Sequence, residues 1–367
     1  MKTKLIALLA VILLFVMGGV ACSSSGDTTH THTPDTAVEE NRAGETCATD
    51  GSYEQVVYCR DCNAELSREK ITIFGGHVYS GNICGRCFIE REEEYIYFGE
   101  YPQTIKADSV TITETTDFRG YYLGSDGAYY AKVIANPYES GYVFSDGSKV
   151  LEEAVYYFKV EPIRWRILTE GDGKAFILCD SIIANKAYQS KYSYITGYTT
   201  ANHAPDGTNA NSYKYSEVRN WLNNEFYRIA FNELQSEIIL TTTVDNSVDS
   251  TGDSYNRNIC EDTEDKIFLL SYSDVTNSAY GFVLNFAREM FASDYSRATG
   301  VWMSTSTCSG CWWLRSPHRY YCNFTCVVDN SGNIHNISDN SIGHDVSSND
   351  YIDYENNGVV PALWIRL

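Results

Sequence analysis

Cys311-Trp312-Trp313-Leu314-Arg315-Ser316-Pro317 and Gly358-Val359-Val360-Pro361-Ala362-Leu363-Trp364-Ile365-Arg366-Leu367 bracket the last part of the chain. Both are aromatic and apolar, with the spacing of buried strands. Between them, His318 to Asn357 is crowded with Asn, Ser, Asp, Tyr, His and Ile. It contains no Lys, Gln, Met, Trp, Leu, Ala or Pro, and Glu355 is its one Glu. An ordinary polar loop carries Lys, Gln, Glu and Pro, so this narrow alphabet has a cause. A paratope is one: Asn, Ser and Asp hydrogen-bond adaptably, and Tyr gives a large amphipathic contact at low entropy cost. The other is genetic. Randomising the adenines of a pyrimidine-ending Asn codon yields Asn, Ser, Asp, Tyr, His, Cys, Phe, Thr, Ile, Val, Gly or Arg, but never Lys, Gln, Glu, Met or Trp.

The length of 367 residues suits one large domain plus a small one. Lys+Arg 28 against Asp+Glu 48 gives a formal net charge of −20, which argues against nucleic acid and against anionic membrane surfaces as partners. Twelve cysteines fit neither a wholly reduced cytosolic protein nor a dense disulfide scaffold, so their spacing decides.

Residues 1–21 read as a signal peptide, with basic Lys2 and Lys4 ahead of an apolar run from Leu5 to Met17. Small residues before Cys22 resemble a bacterial lipobox, which makes Cys22 the lipidated mature N-terminus. Residues 22–46 are Ser/Thr/Asp-rich and are expected to be a lipid-anchored flexible tether. His30 and His32 within it are assigned no role. Residues 47–92 form a small module in which Cys59-Arg-Asp-Cys62 and Cys84-Gly-Arg-Cys87 read as the four ligands of a structural zinc ribbon. Cys47 and His77 are additional candidates, and two disulfides are the rival. The stretch resembles small zinc-ribbon-like repeats of bacterial surface proteins.

Tyr95 to Gln103 reads as an apolar strand ending in a turn. Val160 to Leu168 alternates with period two, and Lys174 to Asp180 follows as a buried strand across a Gly171-Asp172-Gly173 turn. A helix starts at Ser216 as cap, with Glu217 in its first turn and Val218, Trp221, Leu222 and Phe226 as its apolar stripe. Asp265 to Ser271 is a further strand signal, and Tyr280 to Phe291 a short helix or surface insertion.

Phe98-Gly99-Glu100-Tyr101-Pro102-Gln103, Pro162 to Leu168, Ser216-Glu217-Val218-Arg219-Asn220-Trp221-Leu222-Asn223, Asp265 to Ser271, Trp312 to Pro317 and Val360-Pro361-Ala362-Leu363 occur in this order. Together they resemble the C-type-lectin-like domain of the formylglycine-generating-enzyme type, in the branch diversified by diversity-generating retroelements, of which spirochaete variable surface lipoproteins are the closest kind. The resemblance spans about residues 94 to 367. It implies an α+β C-type lectin fold over 93–367, preceded by the zinc-ribbon-like module, with first and last strands paired and a variable segment at 312–367. It also implies no reaction, an unknown protein or glycan ligand on another cell, and a lipid-anchored place on the bacterial surface, in the outer membrane. Carried over by position, the ligand contacts are Arg319, Tyr320, Tyr321, Asn323, Phe324, His335, Asn336, Ser338, Asp339, Asn340, Ser341, His344, Asp345, Ser347, Asn349, Tyr351, Asp353 and Tyr354. Val327, Val328, Gly332, Ile334 and Val346 are framework. Val360 departs from the family, which usually has Arg there, at the cost of a salt bridge.

Two other readings are open. Catalysis would need the cysteine pairs Cys308/Cys311 or Cys322/Cys326 for copper or redox work, or His318, His335 and His344 for iron; most of these lie where variation is expected. A calcium-dependent lectin would need Glu-Pro-Asn or Gln-Pro-Asp with Trp-Asn-Asp, and none of these triplets occurs.

Overall fold

The computed structural model describes residues 31–202, 204–335 and 351–367. The expected signal peptide, Cys22 and His30 lie outside these. The chain divides into two units: the residues up to Glu45 with Thr49–Gly75, and Thr46–Ala48 with Gly76–Leu367.

In the first unit, β1 (Val38–Ala43), β2 (Gly51–Tyr58) and β3 (Glu65–Ile73) form an antiparallel sheet in that order. Strand β1 lies inside the segment expected to be tether. It was hidden because charge rather than apolar content holds it: Arg68 of β3 reaches Glu40 of β1 at 3.0 Å as well as Glu65 at 2.7 Å, and Tyr58 donates to Glu40 at 2.7 Å.

The second unit is α+β. It begins with short strands β4 (Tyr79–Ser80), β5 (Ile83–Cys84) and β6 (Glu90–Arg91), then β7 (Tyr95–Ile105). Strand β7 runs on through Gly99 and Pro102, where a turn was expected, because β11 bulges opposite it. After β8 (Ile112–Thr116), β9 (Tyr122–Gly124) and β10 (Tyr129–Ile134) comes the long β11 (Val155–Gly171), which joins β12 (Lys174–Cys179) by a two-residue hairpin. Asp172 and Gly173 both hold positive φ, 51° and 70°, as the turn that matches the twist of paired strands requires. Bulges in β11 break its alternation, so that Ile163, Trp165 and Leu168 are all buried. Trp165 Nε1 donates to Phe98 O at 2.7 Å, which satisfies the buried indole.

Past β13 (Ala184–Asn185), Ser216 caps α1 (Glu217–Trp221), its side chain accepting from Arg219 N. One π turn (Leu222–Phe226) leads on into α2 (Tyr227–Ala230), followed by α3 (Glu233–Ile238). Val218, Trp221, Leu222 and Phe226 are buried as expected. Strand β14 (Thr242–Val244) pairs with β15 (Thr263–Asp265). The strand expected over Asp265 to Ser271 is reduced to a bridge between Phe268 and Ala362. Helix α4 (Tyr272–Val275) precedes single 3-10 turns at Ser278–Tyr280 and Asn285–Arg288, where Val283, Leu284 and Phe286 are exposed. Strand β16 (Met290–Phe291), α5 (Asp294–Thr299) and β17 (Ser309–Gly310) lead to β18 (Trp312–Pro317), β19 (Thr325–Val328), β20 (Ile334–His335), β21 (Gly358–Val359) and β22 (Ala362–Arg366).

Strand β22 pairs with β12, and β7 with β11. The first and last strands of residues 93–367, β7 and β22, therefore share a sheet without the expected pairing, since β11 and β12 intervene. A second sheet has the order β13-β21-β18-β19-β20. There β18 and β21 run parallel, with Trp312 opposite Gly358. The polar stretch thus leaves and returns on adjacent strands. Val360 is fully buried in the apolar core, where an arginine head would have to be desolvated.

Candidate binding surface and candidate metal centre

All six residues of β18 are buried. Trp312 Nε1 donates to Arg288 O at 3.0 Å and Trp313 Nε1 to Lys186 O at 2.7 Å, so both rings stay satisfied inside. Each large apolar side chain removed from water contributes roughly 2–3 kcal/mol. Arg315 adds a polar stitch: Nη1 donates to Leu269 O and to Asp274 Oδ2, both at 2.7 Å, and Asp274 completes the capping box of α4 with Ser271.

The loop leaving this strand is fixed by asparagines from elsewhere in the chain. Asn256 Nδ2 donates to Pro317 O at 2.8 Å, and Asn258 Nδ2 to His318 O at 2.8 Å and Arg319 O at 3.2 Å. Asn211 Nδ2 donates to Tyr321 O at 3.1 Å and Phe324 O at 2.8 Å, while its main-chain N–H meets Cys322 O at 2.8 Å. Inside the loop, His318 Nδ1 accepts from the main-chain N–H groups of Tyr320 and Tyr321, both at 3.1 Å. The main chain of the loop is thus held by groups outside the segment as well as by His318 within it.

The outward side chains of the loop are aromatic and cationic. Tyr320 and Tyr321 are 49% and 52% exposed. The Arg319 guanidinium lies over the rings of Tyr320 and Tyr255, at 4.8 Å and 5.0 Å, and pairs with Asp253 at 3.2 Å. Tyr194, also exposed, donates to Asp353 Oδ2 at 3.1 Å. Tyr194 and Tyr255 lie outside the segment, and nothing in their local sequence marked them. The clamping asparagines were missed as well; their only signal is the Asn-x-Asn spacing at Asn209/Asn211 and Asn256/Asn258.

Of the expected contacts, Phe324 is corrected to framework. It is 5% exposed, with its ring 4.1 Å from that of Tyr351, because this pair bridges the two ends of the segment. Asn323, Tyr351, Asp353 and Tyr354 are half-buried. His335 is half-buried in β20, with Nε2 at 3.1 Å from Asp329 Oδ2. Asn336, Ser338, Asp339, Asn340, Ser341, His344, Asp345, Ser347 and Asn349, and the framework residue Val346, lie outside the described residues. Val327 and Val328 are fully buried, while Ile334 is half-buried.

The turn between β19 and β20 is built on Asp329, which accepts from the main-chain N–H of Ser331 at 2.8 Å and of Asn333 at 2.9 Å. Burial opposes its charge, yet His335, Asn333 and these N–H groups hold the carboxyl down at about 2. Gly332 has φ 73°, and a Cβ there would lie 1.8 Å from Asn285 O. Cys308 and Cys322 are half-buried, Cys311 and Cys326 buried.

The cysteines of the N-terminal knuckles do not form one four-cysteine group. Cys84 and Cys87 gather with Cys47 and His77, and Cys59 and Cys62 with His32; within each group the ligand atoms lie within 4.8 Å of one another. The reason is that each knuckle faces a returning segment that carries a histidine. In the first group, Cys47 Sγ lies 3.7 Å from Cys84 Sγ and His77 Nδ1 3.3 Å from Cys87 Sγ. Four ligands at bond lengths of about 2.0–2.3 Å around a tetrahedral ion are separated by roughly 3.5–3.8 Å, whereas a disulfide needs about 2.05 Å. This spacing favours an ion.

Electrostatics agree. Burial works against the Cys84 thiolate, but the N–H groups of Cys87 and Arg86, and His77, bring its pKa down to about 6. Cys47 is driven the other way by burial and by its thiol neighbours Cys87 and Cys84. The Cys87 side chain raises His77 to about 9 against the effect of burial. Crowded thiol groups of this kind are relieved by a cation, and this group could hold a metal. His77 Nε2 lies 3.1 Å from Arg366 O, an outer-shell bond of the sort that orients a metal-binding imidazole.

Residues 172–367 match the model of a protein family described as a domain of unknown function, DUF6273. The match begins in the β11–β12 turn and includes the whole of the polar stretch and both flanking strands. No curated protein and no solved structure matches the chain.

Proposed function

The chain belongs to the DUF6273 family, and we propose that it is a lipid-anchored bacterial surface protein that binds a protein or glycan ligand on another cell. On this reading the second unit is a C-type-lectin-like scaffold of the formylglycine-generating-enzyme type. It carries a diversified segment and performs no reaction. Arg319, Tyr320 and Tyr321 supply dominant contacts, as aromatic residues and arginine do at binding hot spots, and Asn and Ser tune specificity.

The observation that carries the reading is the clamping of the loop main chain by Asn211, Asn256 and Asn258. A surface whose side chains vary needs a main chain that does not depend on them. Cys47, His77, Cys84 and Cys87 hold a structural zinc, since three thiolates and an imidazole are a closed zinc set.

Sequencing the 3′ end of the gene across a population, with the DNA downstream, tests this. The expected result is a near-identical copy of the codons for 312–367 that differs only at adenines, beside a reverse transcriptase gene, with population variants at the codons for Tyr320 and Tyr321. An invariant segment without such a copy overturns the diversification.

A further inference from the structure

The two cysteine knuckles repeat the same local structure bond for bond. In the first, Cys59 N donates to Ala64 O at 2.8 Å and Asn63 N to Cys59 O at 2.8 Å. In the second, Cys84 N donates to Ile89 O and Phe88 N to Cys84 O, both at 2.9 Å. Asn63 and Phe88, each directly after the second cysteine, hold left-handed φ of 58° and 60°. For Phe88, a bulky residue that rarely adopts this region, the value marks a turn imposed by its surroundings.

The returning segments repeat as well. Arg60 N donates to Thr33 O and Gly85 N to Val78 O, both at 2.8 Å. Thr33 and Val78 each directly follow a histidine. Pro34 bridges Cys59 as Tyr79 pairs with Cys84. His32 Nδ1 therefore comes to 3.4 Å from Cys62 Sγ, as His77 Nδ1 comes to 3.3 Å from Cys87 Sγ.

We infer that the chain holds two metal ions of the zinc class, one in each knuckle, with His32, Cys59 and Cys62 as ligands of the second. The argument rests on this repetition and on ligand spacing: an imidazole nitrogen and a thiolate on one tetrahedral ion lie roughly 3.5 Å apart. Cys59 is buried and Cys62 exposed. With Cys62 exposed and His32 half-buried, against three buried cysteines at Cys47, Cys84 and Cys87, the His32 centre is the more open to solvent and the more exchangeable of the two.

Metal content of the full chain, purified in reductant without chelator, tests this by elemental mass spectrometry. Wild type is expected to carry two zinc ions per chain, and the Cys59→Ser/Cys62→Ser and Cys84→Ser/Cys87→Ser variants one each. Each variant keeps the other centre as its own folding control. Titration of metal-free wild type with cobalt(II) is expected to show two steps, with His32→Ala abolishing only one of them. Zinc content unchanged by Cys59→Ser/Cys62→Ser, or a Cys59–Cys62 disulfide found by peptide mapping, overturns the inference. Unchanged zinc in Cys84→Ser/Cys87→Ser instead overturns the Cys47 centre and leaves this one standing.

Discussion

His77 and Arg366 are 289 positions apart in sequence, yet His77 Nε2 lies 3.1 Å from the main-chain oxygen of Arg366. The Arg366 guanidinium in turn donates to Ala48 O, next to Cys47. A ligand of the candidate metal centre is thereby tied to β22, the strand that closes the core sheet beside β12.

His77→Ala removes that tie along with a ligand of the candidate metal centre, so the variant and wild type are compared after both have been stripped of metal. One hydrogen bond is worth about 1 kcal/mol, which corresponds to about fivefold in a local opening equilibrium. Hydrogen exchange read by mass spectrometry is expected to speed up by that factor at the Lys174 and Leu367 amides, near the hairpin turn. Unchanged exchange there would show that β22 is held without it.

Asn211→Ala and Tyr320→Ser should separate clamp from surface. The first removes the two Asn211 Nδ2 hydrogen bonds to the carbonyls of Tyr321 and Phe324, which keep only the main-chain donors Phe324 N and His318 N, at about 1 kcal/mol per bond lost. The second removes a half-exposed ring and is expected to stay within about 0.5 kcal/mol of wild type. Urea unfolding measures both, and equal losses would refute the division of labour.

Gly332→Ala places a methyl group 1.8 Å from Asn285 O at φ 73°. Even before the backbone moves to relieve the clash, the left-handed conformation costs about 1–2 kcal/mol for a residue with a Cβ. Destabilisation above about 2 kcal/mol is expected in denaturant unfolding.

Acid stability should reveal Asp329. Its carboxyl is held at about 2 against a reference value of 3.8. A depressed carboxylate contributes stability that is complete above the unfolded value and is lost as pH falls through the folded one. Between pH 3.8 and about 2 the wild type is expected to lose on the order of 2 kcal/mol through this group. Asp329→Asn should show a shallower slope in that window when unfolding is followed against pH.

Legibility in the sequence followed the range of the interactions. The Asp172-Gly173 turn and the Ser216 cap were readable because their chemistry lies within a few residues. Trp312 to Pro317 was readable because a run of buried apolar residues is its own signal. Strand β1 was not, since its partners Arg68 and Tyr58 act across the sheet. The C-x-x-C spacing announced two knuckles but could not say which histidine each would meet, and so merged them. Asn211 and Asn258 donate to carbonyls 110 and 60 residues away, and no local pattern carries that information.

The asparagine clamps also bear on rates. A loop whose main chain is already immobilised has little chain entropy left to lose when another surface covers it. On the proposed binding reading, the main chain of residues 317–324 has little ordering left to do on contact, so exchanging Tyr320 or Tyr321 is expected to leave the speed of encounter nearly constant. Differences among such variants would accumulate in how long each complex lasts.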